Sequence, residues 1–368
     1  MTNNVRFVGV GSFVPKRRIS TERMAKAIPG WPAERIVEKT GIVERRFLWD
    51  FDDRTGQAIP PPENDGNFYP ANNTDMCEVA LRQALERAGL PATDLDAIFV
   101  VTCTPDEVNF SHDAMELHHR LGCREDAYAM VIDSGCGGTL YTIDMARKMI
   151  ASGAVKTVAV IGSAFTSALM NREVYTSELQ LENGKSVNAF LSMYVFGDGA
   201  GAVILRGEAK AANDSAGVLA SLAGSSHGAL VHRHGAGNTK LGYQGRIKPV
   251  DNAFVVDGLK VAQGYPKYMN ACIDGVLEGQ EQLKPEVKRY YFHQPNKRLM
   301  DHYVLRSGLP KDRVACHVDR NGNTSAAGML ILLAEDLEQG RVAFGRGDLV
   351  LLAAVGANIH WGAQLVRL

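Results

Sequence analysis

The chain carries one order of strands and helices twice, and this repeat limits its fold more than any other feature. In the first half, residues 94–103 (DLDAIFVVTC) read as a strand, 112–121 as a helix and 131–136 as the end of a second strand. A helix to about 152 and a strand over 157–163 follow. In the second half the same order runs through 287–293 (VKRYYFH), 297–307, 315–319, about 325–339 and 348–355. Each half opens on a glycine-punctuated strand, 5–10 and 218–223. Short apolar runs alternating with helical spacing predict α/β units with mostly parallel strands. Such a chain makes a two-halved molecule, residues 1–210 and 211–368, with a site between the halves. The polar stretch 206–216 (RGEAKAANDSA) is the expected joint. Residues 48–70 and 171–194 interrupt the repeat and read as surface excursions, pocket walls or subunit contacts.

The repeat also aligns chemistry. Val131-Ile132-Asp133 and His317-Val318-Asp319 occupy equivalent places, so Cys136 and Asn323 fall at matching helix starts. His293 falls at the C-terminal end of a matching strand. Ligands of α/β folds gather beyond the carboxyl ends of the strands, where these three groups can meet. Cys136 sits in Ser134-Gly135-Cys136-Gly137-Gly138-Thr139, and Leu140, Ile143, Ala146, Met149 and Ile150 recur behind it at helical spacing. Its sulfur is therefore expected at a helix N-terminus, where free N–H groups and the helix dipole favour a thiolate. The plainer reading of such a cysteine is a small core hydrophobe. Cys103, in a strand, reads as core. His293 closes an apolar strand and opens the polar run His293-Gln294-Pro295-Asn296-Lys297-Arg298, as expected for a side chain facing a cavity. Asn323 also suits a helix cap, a role that Thr324 or Ser325 can fill instead.

Composition removes other classes. A formal net charge of -1 argues against a dedicated nucleic-acid binder. The six cysteines, at 77, 103, 123, 136, 272 and 316, form no CxxC pair and no zinc spacing. With no apolar N-terminal signal, they point to a reducing cytoplasm. No apolar run approaches the ~20 residues that span a bilayer, so no membrane partner is expected.

Several motifs together resemble the β-ketoacyl-acyl carrier protein synthase III family, nearly end to end. They are Cys136 in its glycine-rich turn, His293-Gln294-Pro295-Asn296, Asn321-Gly322-Asn323-Thr324-Ser325-Ala326-Ala327, Phe196-Gly197-Asp198-Gly199-Ala200-Gly201-Ala202 and Ile359-His360-Trp361-Gly362. Thr40-Gly41-Ile42 with Glu44-Arg45 is similar to an early motif of that family. The resemblance implies an α/β thiolase fold, a duplicated α/β unit in five layers, and a homodimer. It implies an acyltransferase without metal or organic cofactor, served by acyl carrier protein or coenzyme A thioesters.

By that resemblance Cys136 takes an acyl group from a thioester. A malonyl thioester then loses CO2. His293 and the Asn323 amide stabilise the resulting enolate, which attacks the acyl group. The backbone N–H groups of Cys136 and Ala357 hold the tetrahedral oxyanion. Asn296 and Arg298 match positions near the tunnel mouth that receives the carrier arm. Arg298 equally suits a solvated surface. Phe110 matches a residue that the partner subunit inserts at the base of the acyl pocket, or it is core. Glu107 is a candidate base for joining two acyl chains by proton removal, or a solvated loop carboxylate. Simple acyl transfer to an alcohol or amine, with His293 as base, is a third outcome; the presence of Asn323 favours carbon–carbon bond formation. A non-catalytic partner subunit of a heterodimeric synthase is the reading from another class. Three departures from the family favour a secondary pathway, polyketide or specialised fatty-acid synthesis. The nucleophile turn is glycine-rich, the C-terminal loop is Gly356-Ala357-Asn358, and Arg35 replaces the tryptophan that stacks on coenzyme A. The last favours a carrier protein as donor.

Overall fold

The computed structural model describes residues 4–62, 70–180, 186–209, 216–233 and 253–368. In chain order the principal elements of the first half are β1 (Asn4–Phe13), α1 (Asn73–Ala88), β2 (Ala97–Val101), α2 (His112–Arg120), β3 (Tyr128–Ile132), α3 (Gly138–Ala151), β4 (Thr157–Ala164) and β5 (Gly199–Glu208). Those of the second half are β6 (Gly217–Ser225), α4 (Gly258–Leu277), β7 (Val287–Phe292), α5 (Lys297–Ser307), α6 (Gly328–Glu338), β8 (Leu349–Val355) and β9 (His360–Arg367). The first sheet has five strands in the order β1-β5-β4-β2-β3. The second has four, β6-β9-β8-β7, so β1, β5, β4 and β2 have counterparts in β6, β9, β8 and β7. In each sheet the matching pair, β2 with β4 and β7 with β8, is parallel.

Helices and sheets alternate in layers. Met76, Leu81 and Leu85 of α1 and Leu117 of α2 pack on one face of the first sheet. Leu140 and Ile143 of α3 and Leu330 and Leu333 of α6 lie between Val158 and Val160 of β4 and Val350 and Leu352 of β8. Met269 and Ile273 of α4 and Met300 and Val304 of α5 cover the far face of the second sheet. This arrangement explains two sequence patterns. The β2 segment AIFVV and the β4 segment TVAVIGSA are buried throughout because both faces are covered. Met329 to Ala334 of α6 are all buried because that helix has protein on every side.

The expected strand over 315–319 does not form. Only the bridge between Tyr290 and Val314 and the bond from Ala315 N to Tyr290 O extend the second sheet there. Beyond them the Gln294 side chain takes over: its Nε2 donates to Ala315 O at 2.8 Å, and its Oε1 accepts from His317 N and Val318 N, each at 3.0 Å. One amide satisfies the backbone groups that a fifth strand would have paired, and a short helix Val318–Asn321 follows. The joint also begins later than expected, since β5 continues to Glu208; residues 210–215 lie outside the described residues. The 171–194 excursion contains two short helices, Arg172–Thr176 and Phe190–Val195. The 48–70 excursion carries two-residue strands, and residues 63–69 of it are not among those described. Helix α4 was not foreseen. Its glycines and Pro266 disguise the pattern, and burial of Tyr265, Met269 and Ile273 overrides their low propensity. Among the described residues no helix is long and apolar enough to cross a membrane.

Candidate active site

Cys136 lies in one turn of 3-10 helix, Gly135–Gly137, that leads into α3. The glycines around it answer to different demands. Gly135 has φ +61, and a Cβ on Gly137 would run into the His360 carbonyl oxygen. Gly356 of the C-terminal loop packs so closely on the Cys136 and Gly137 backbone that a Cβ there has no room either. Cys136 is 6% exposed, and its Sγ stands 3.2 Å from the Ser325 hydroxyl. Burial raises its pKa above the ordinary thiol value; the Ser325 contact and its own backbone N–H only partly offset this. The expected thiolate is therefore not the favoured resting form: desolvation outweighs the helix start.

His293 follows β7 directly. Its N–H donates to Ala353 O at 2.9 Å, and its carbonyl accepts from the Tyr265 hydroxyl at 2.7 Å, so both sides of its peptide are held. Burial pushes the imidazole pKa down to about 3, which keeps the ring neutral at physiological pH. Asn323 precedes a turn, Ser325–Ala327, that leads into α6. Its Oδ1 accepts from Ser325 N at 2.9 Å, which turns the amide nitrogen toward the far side, 3.5 Å from Pro295 O. The main chain of Asn323 belongs to the first half as much as the second. Its N–H donates to Val195 O at 2.7 Å, its carbonyl accepts from Gly197 N at 3.1 Å, and it bridges Phe196.

Cys136, His293 and Asn323 line one cavity of about 300 Å³, with Ala357, Asn296 and Arg298 also on its wall. Cys136 and Ala357 line a second cavity of about 280 Å³ as well, from which His293 and Asn323 are absent. The sulfur thus stands where two chambers meet. In the C-terminal loop Gly356 N is committed to His360 O at 2.8 Å, and the Ala357 carbonyl accepts from Leu230 N at 2.6 Å.

Residues 132–226 match the model of 3-oxoacyl-[acyl-carrier-protein] synthase III, and residues 278–368 match that of its C-terminal region. The β-ketoacyl-[acyl-carrier-protein] synthase III of Xanthomonas euvesicatoria pv. vesicatoria is 30% identical over 372 residues, covering 98% of each chain. The chain belongs to the β-ketoacyl-acyl carrier protein synthase III family. The crystal structure of the synthase III from Aquifex aeolicus covers 99% of this chain and 100% of its own, with 27% identity and a TM-score of 0.76. That from Thermus thermophilus gives 26% identity, a TM-score of 0.77 and 99% coverage of both. The fold is the thiolase fold, and the chain is an acyltransferase of the condensing-synthase type.

In this family member the remaining motifs support the site from behind. Buried Asp198 accepts from Leu48 N, Thr166 N, the Thr166 hydroxyl and Ser167 N at 2.7–3.0 Å. A Cβ on Gly197 would strike the Asn321 carbonyl oxygen. Arg45 is fully buried, donates to Tyr194 O at 2.7 Å, and has its pKa pushed down to about 10 by burial. Val43 N donates to Asp319 O at 3.0 Å. The early motif and the Phe196 motif thus clasp the turn that carries Asn323.

Other expected site residues fare differently. Asn296 is on the cavity wall, with its Oδ1 committed to capping α5 through Leu299 N at 2.9 Å. Arg298 is exposed at the same wall, its Nε donating to Glu38 O at 3.1 Å. Arg35 lies over the Trp31 ring at 4.6 Å, so a tryptophan is present on this face, four residues earlier than the replaced one. Phe110 is 96% exposed, which excludes the core reading, and lines neither cavity of its own chain. Glu107, the candidate base, is exposed, pairs with His112 at 3.5 Å and also lines neither cavity. Cys103 corrects another expectation. It follows β2 rather than sitting in it, and it lines the second cavity beside Cys136. Sequence reasoning missed three neighbours of the site: Cys103, Ser325 as the partner of Cys136, and Tyr265 as the support of His293. Their sequence separations, 189 positions for Ser325 and Cys136, leave no local signal.

Proposed function

We propose that the protein forms an acyl-Cys136 thioester and joins the acyl group to a malonyl carrier-protein thioester by decarboxylative Claisen condensation. The observation that carries this reading is the position of Cys136 between two cavities, with His293 and Asn323 facing only one of them. An acyl group on Sγ occupies the second cavity while the malonyl thioester enters the first.

In the acylation step neutral His293 takes the Cys136 proton as sulfur attacks the donor thioester. It returns the proton to the leaving carrier thiol. The burial that lowers the His293 pKa makes this return favourable and restores a neutral ring. In the second step the malonyl carboxylate leaves as CO2. The ring N–H of His293 and the Asn323 amide then hold the thioester oxygen of the enolate. The enolate carbon attacks the acyl carbonyl, whose oxyanion is received by the Cys136 and Ala357 backbone N–H groups, and Cys136 departs as thiolate and is reprotonated. Among the described residues no carboxylate lines the cavity that holds His293 and Asn323.

Arg298 and Asn296 stand at the entrance for the carrier arm. The active form is a homodimer: edge strand β3 presents Tyr128 and Met130, 57% and 51% exposed, and the neighbouring loop presents Phe110. Asn109, Phe110 and Ser111 all have positive φ, a strained run that suits insertion of Phe110 into the partner subunit. The product class is a β-ketoacyl chain of polyketide or specialised fatty-acid synthesis. Intact-protein mass spectrometry with a panel of acyl thioesters, followed by malonyl carrier protein, tests the reading. An adduct on wild type, absent from Cys136→Ala and discharged by the malonyl carrier with CO2 release, supports it. An adduct discharged only by an alcohol, an amine or a second acyl chain overturns the malonyl step. No adduct with any donor favours the partner-subunit reading.

A further inference from the structure

A two-stranded ribbon, Val231–Arg233 paired with Phe254–Val256, contributes to the walls of both cavities. Its register sets Val231 opposite Val256. Successive side chains of a strand point to opposite faces, so Phe254 and Val256 share one face and Val255 takes the other. The packing agrees. Ala253 and Val255 are buried in the cluster that holds Phe47 and Met193, whereas Phe254 lines the second cavity and Val256 the first. One strand face thus meets both chambers, with its two residues about 7 Å apart along the chain.

The ribbon is held in place by main-chain bonds. Leu230 N donates to Ala357 O at 2.6 Å, Asp257 N donates to Leu230 O at 3.0 Å, and the Ser192 hydroxyl donates to Phe254 O. These tie it to the C-terminal loop and to the short helix Phe190–Val195 of the first half. Side-chain size, rather than backbone movement, then sets the room beside the strand. Phe196 and Val231 line both cavities, which places them at the junction with the sulfur. Among the described residues Phe254 is the one large apolar side chain that lines the second cavity alone. Its ring is buried but keeps 7% exposure. Other residues confined to that cavity, such as Cys103, Ser134 and Ser325, are small.

We propose that Phe254 sets the longest acyl chain that Cys136 accepts. The inference rests on the proposed acylation of Cys136 and names the residue that selects the donor for that step. The step balances as thioester exchange: the acyl–sulfur bond of the donor breaks, the acyl–Sγ bond forms, and the Cys136 proton leaves with the donor thiol. A chain lengthening from Sγ fills the cavity of about 280 Å³ and comes up against the Phe254 ring. Close-packed walls resist added volume, and one methylene too many in such a pocket is worth roughly 10- to 200-fold in rate. Val256 faces the chamber of the carrier arm, which is the same for every donor, so it does not read chain length.

The test is the rate of acyl-Cys136 formation on the full-length protein, read by intact mass, with acetyl, butanoyl and octanoyl pantetheine thioesters. Wild type is expected to load butanoyl about tenfold or more ahead of octanoyl. Phe254→Leu keeps an apolar side chain and should raise octanoyl loading about tenfold or more while acetyl loading holds. Phe254→Trp should act in the opposite direction and slow butanoyl against acetyl. Val256→Phe should slow all three thioesters by the same factor. Octanoyl loading as fast as butanoyl on wild type, or an unchanged ratio in both Phe254 variants, overturns the inference and leaves the acylation reading intact. A shift of the ratio by Val256→Phe as large as that from Phe254 also overturns it. No adduct from any thioester overturns the acylation reading and this inference together.

Discussion

The Cys136 sulfur and the Ser325 hydroxyl stand 3.2 Å apart across the boundary between the two halves. Ser325 adopts φ +47, a left-handed conformation that a serine pays strain to hold. It is kept there by Asn323, whose side chain accepts its N–H. One turn therefore positions both the amide of Asn323 and the only side chain recorded in hydrogen-bond contact with the nucleophile among the described residues.

The thiol pKa is raised by burial and lowered by the Ser325 contact. Only the thiolate reacts with iodoacetamide. Alkylation of Cys136 should therefore climb with pH and reach its midpoint above that of an exposed cysteine. Ser325→Ala should move the midpoint higher still. A midpoint near neutrality in the wild type would show that the helix start outweighs burial.

Asn323→Asp replaces an N–H donor with an acceptor while the backbone ties to Val195 and Gly197 remain available. Condensation should fall by roughly 10²–10³, the usual loss for one donor at a developing oxyanion. The acyl-Cys136 adduct should still form, because acylation uses Cys136 and His293. Paired assays of adduct formation and CO2 release check the separation; equal loss of both would place Asn323 in the acylation step.

Asp198 takes four hydrogen bonds inside the protein, from Leu48 in one segment and Thr166 and Ser167 in another. Asp198→Ala leaves those donors bare and should lower stability by about 3 kcal/mol. Urea unfolding monitored by circular dichroism measures this. Asp198→Asn should cost less, since it keeps one carbonyl acceptor.

The edge strand β3 presents the side chains of Tyr128 and Met130 to solvent. Met130→Lys should convert the proposed homodimer to monomer in light scattering, since a charge buried at a strand-to-strand contact is costly. Because Phe110 is proposed to complete the partner's pocket, acylation should be lost together with the dimer.

The duplicated order of elements was legible because apolar runs and helical spacing are local properties. The positions of Cys136, His293 and Asn323 at helix starts and a strand end were legible for the same reason. The expected strand over 315–319 failed because a side chain, Gln294, serves the backbone there, and a strand pattern contains no record of a competing amide. Helix α4 escaped because its glycines and Pro266 mask a periodicity that packing enforces.

The sequence by itself determined the repeated α/β order, the three polar groups at its loop ends and, through five spaced motifs, the family. Tertiary structure alone decided the protonation of Cys136, the exposure of Glu107 and Phe110, the partnership with Ser325 and Tyr265, and the place of Cys103 on the second cavity. Desolvation depends on everything within several ångströms of an atom, whatever its sequence distance. Two residues 189 positions apart come to share one hydrogen bond only after both sheets and the helices between them have packed.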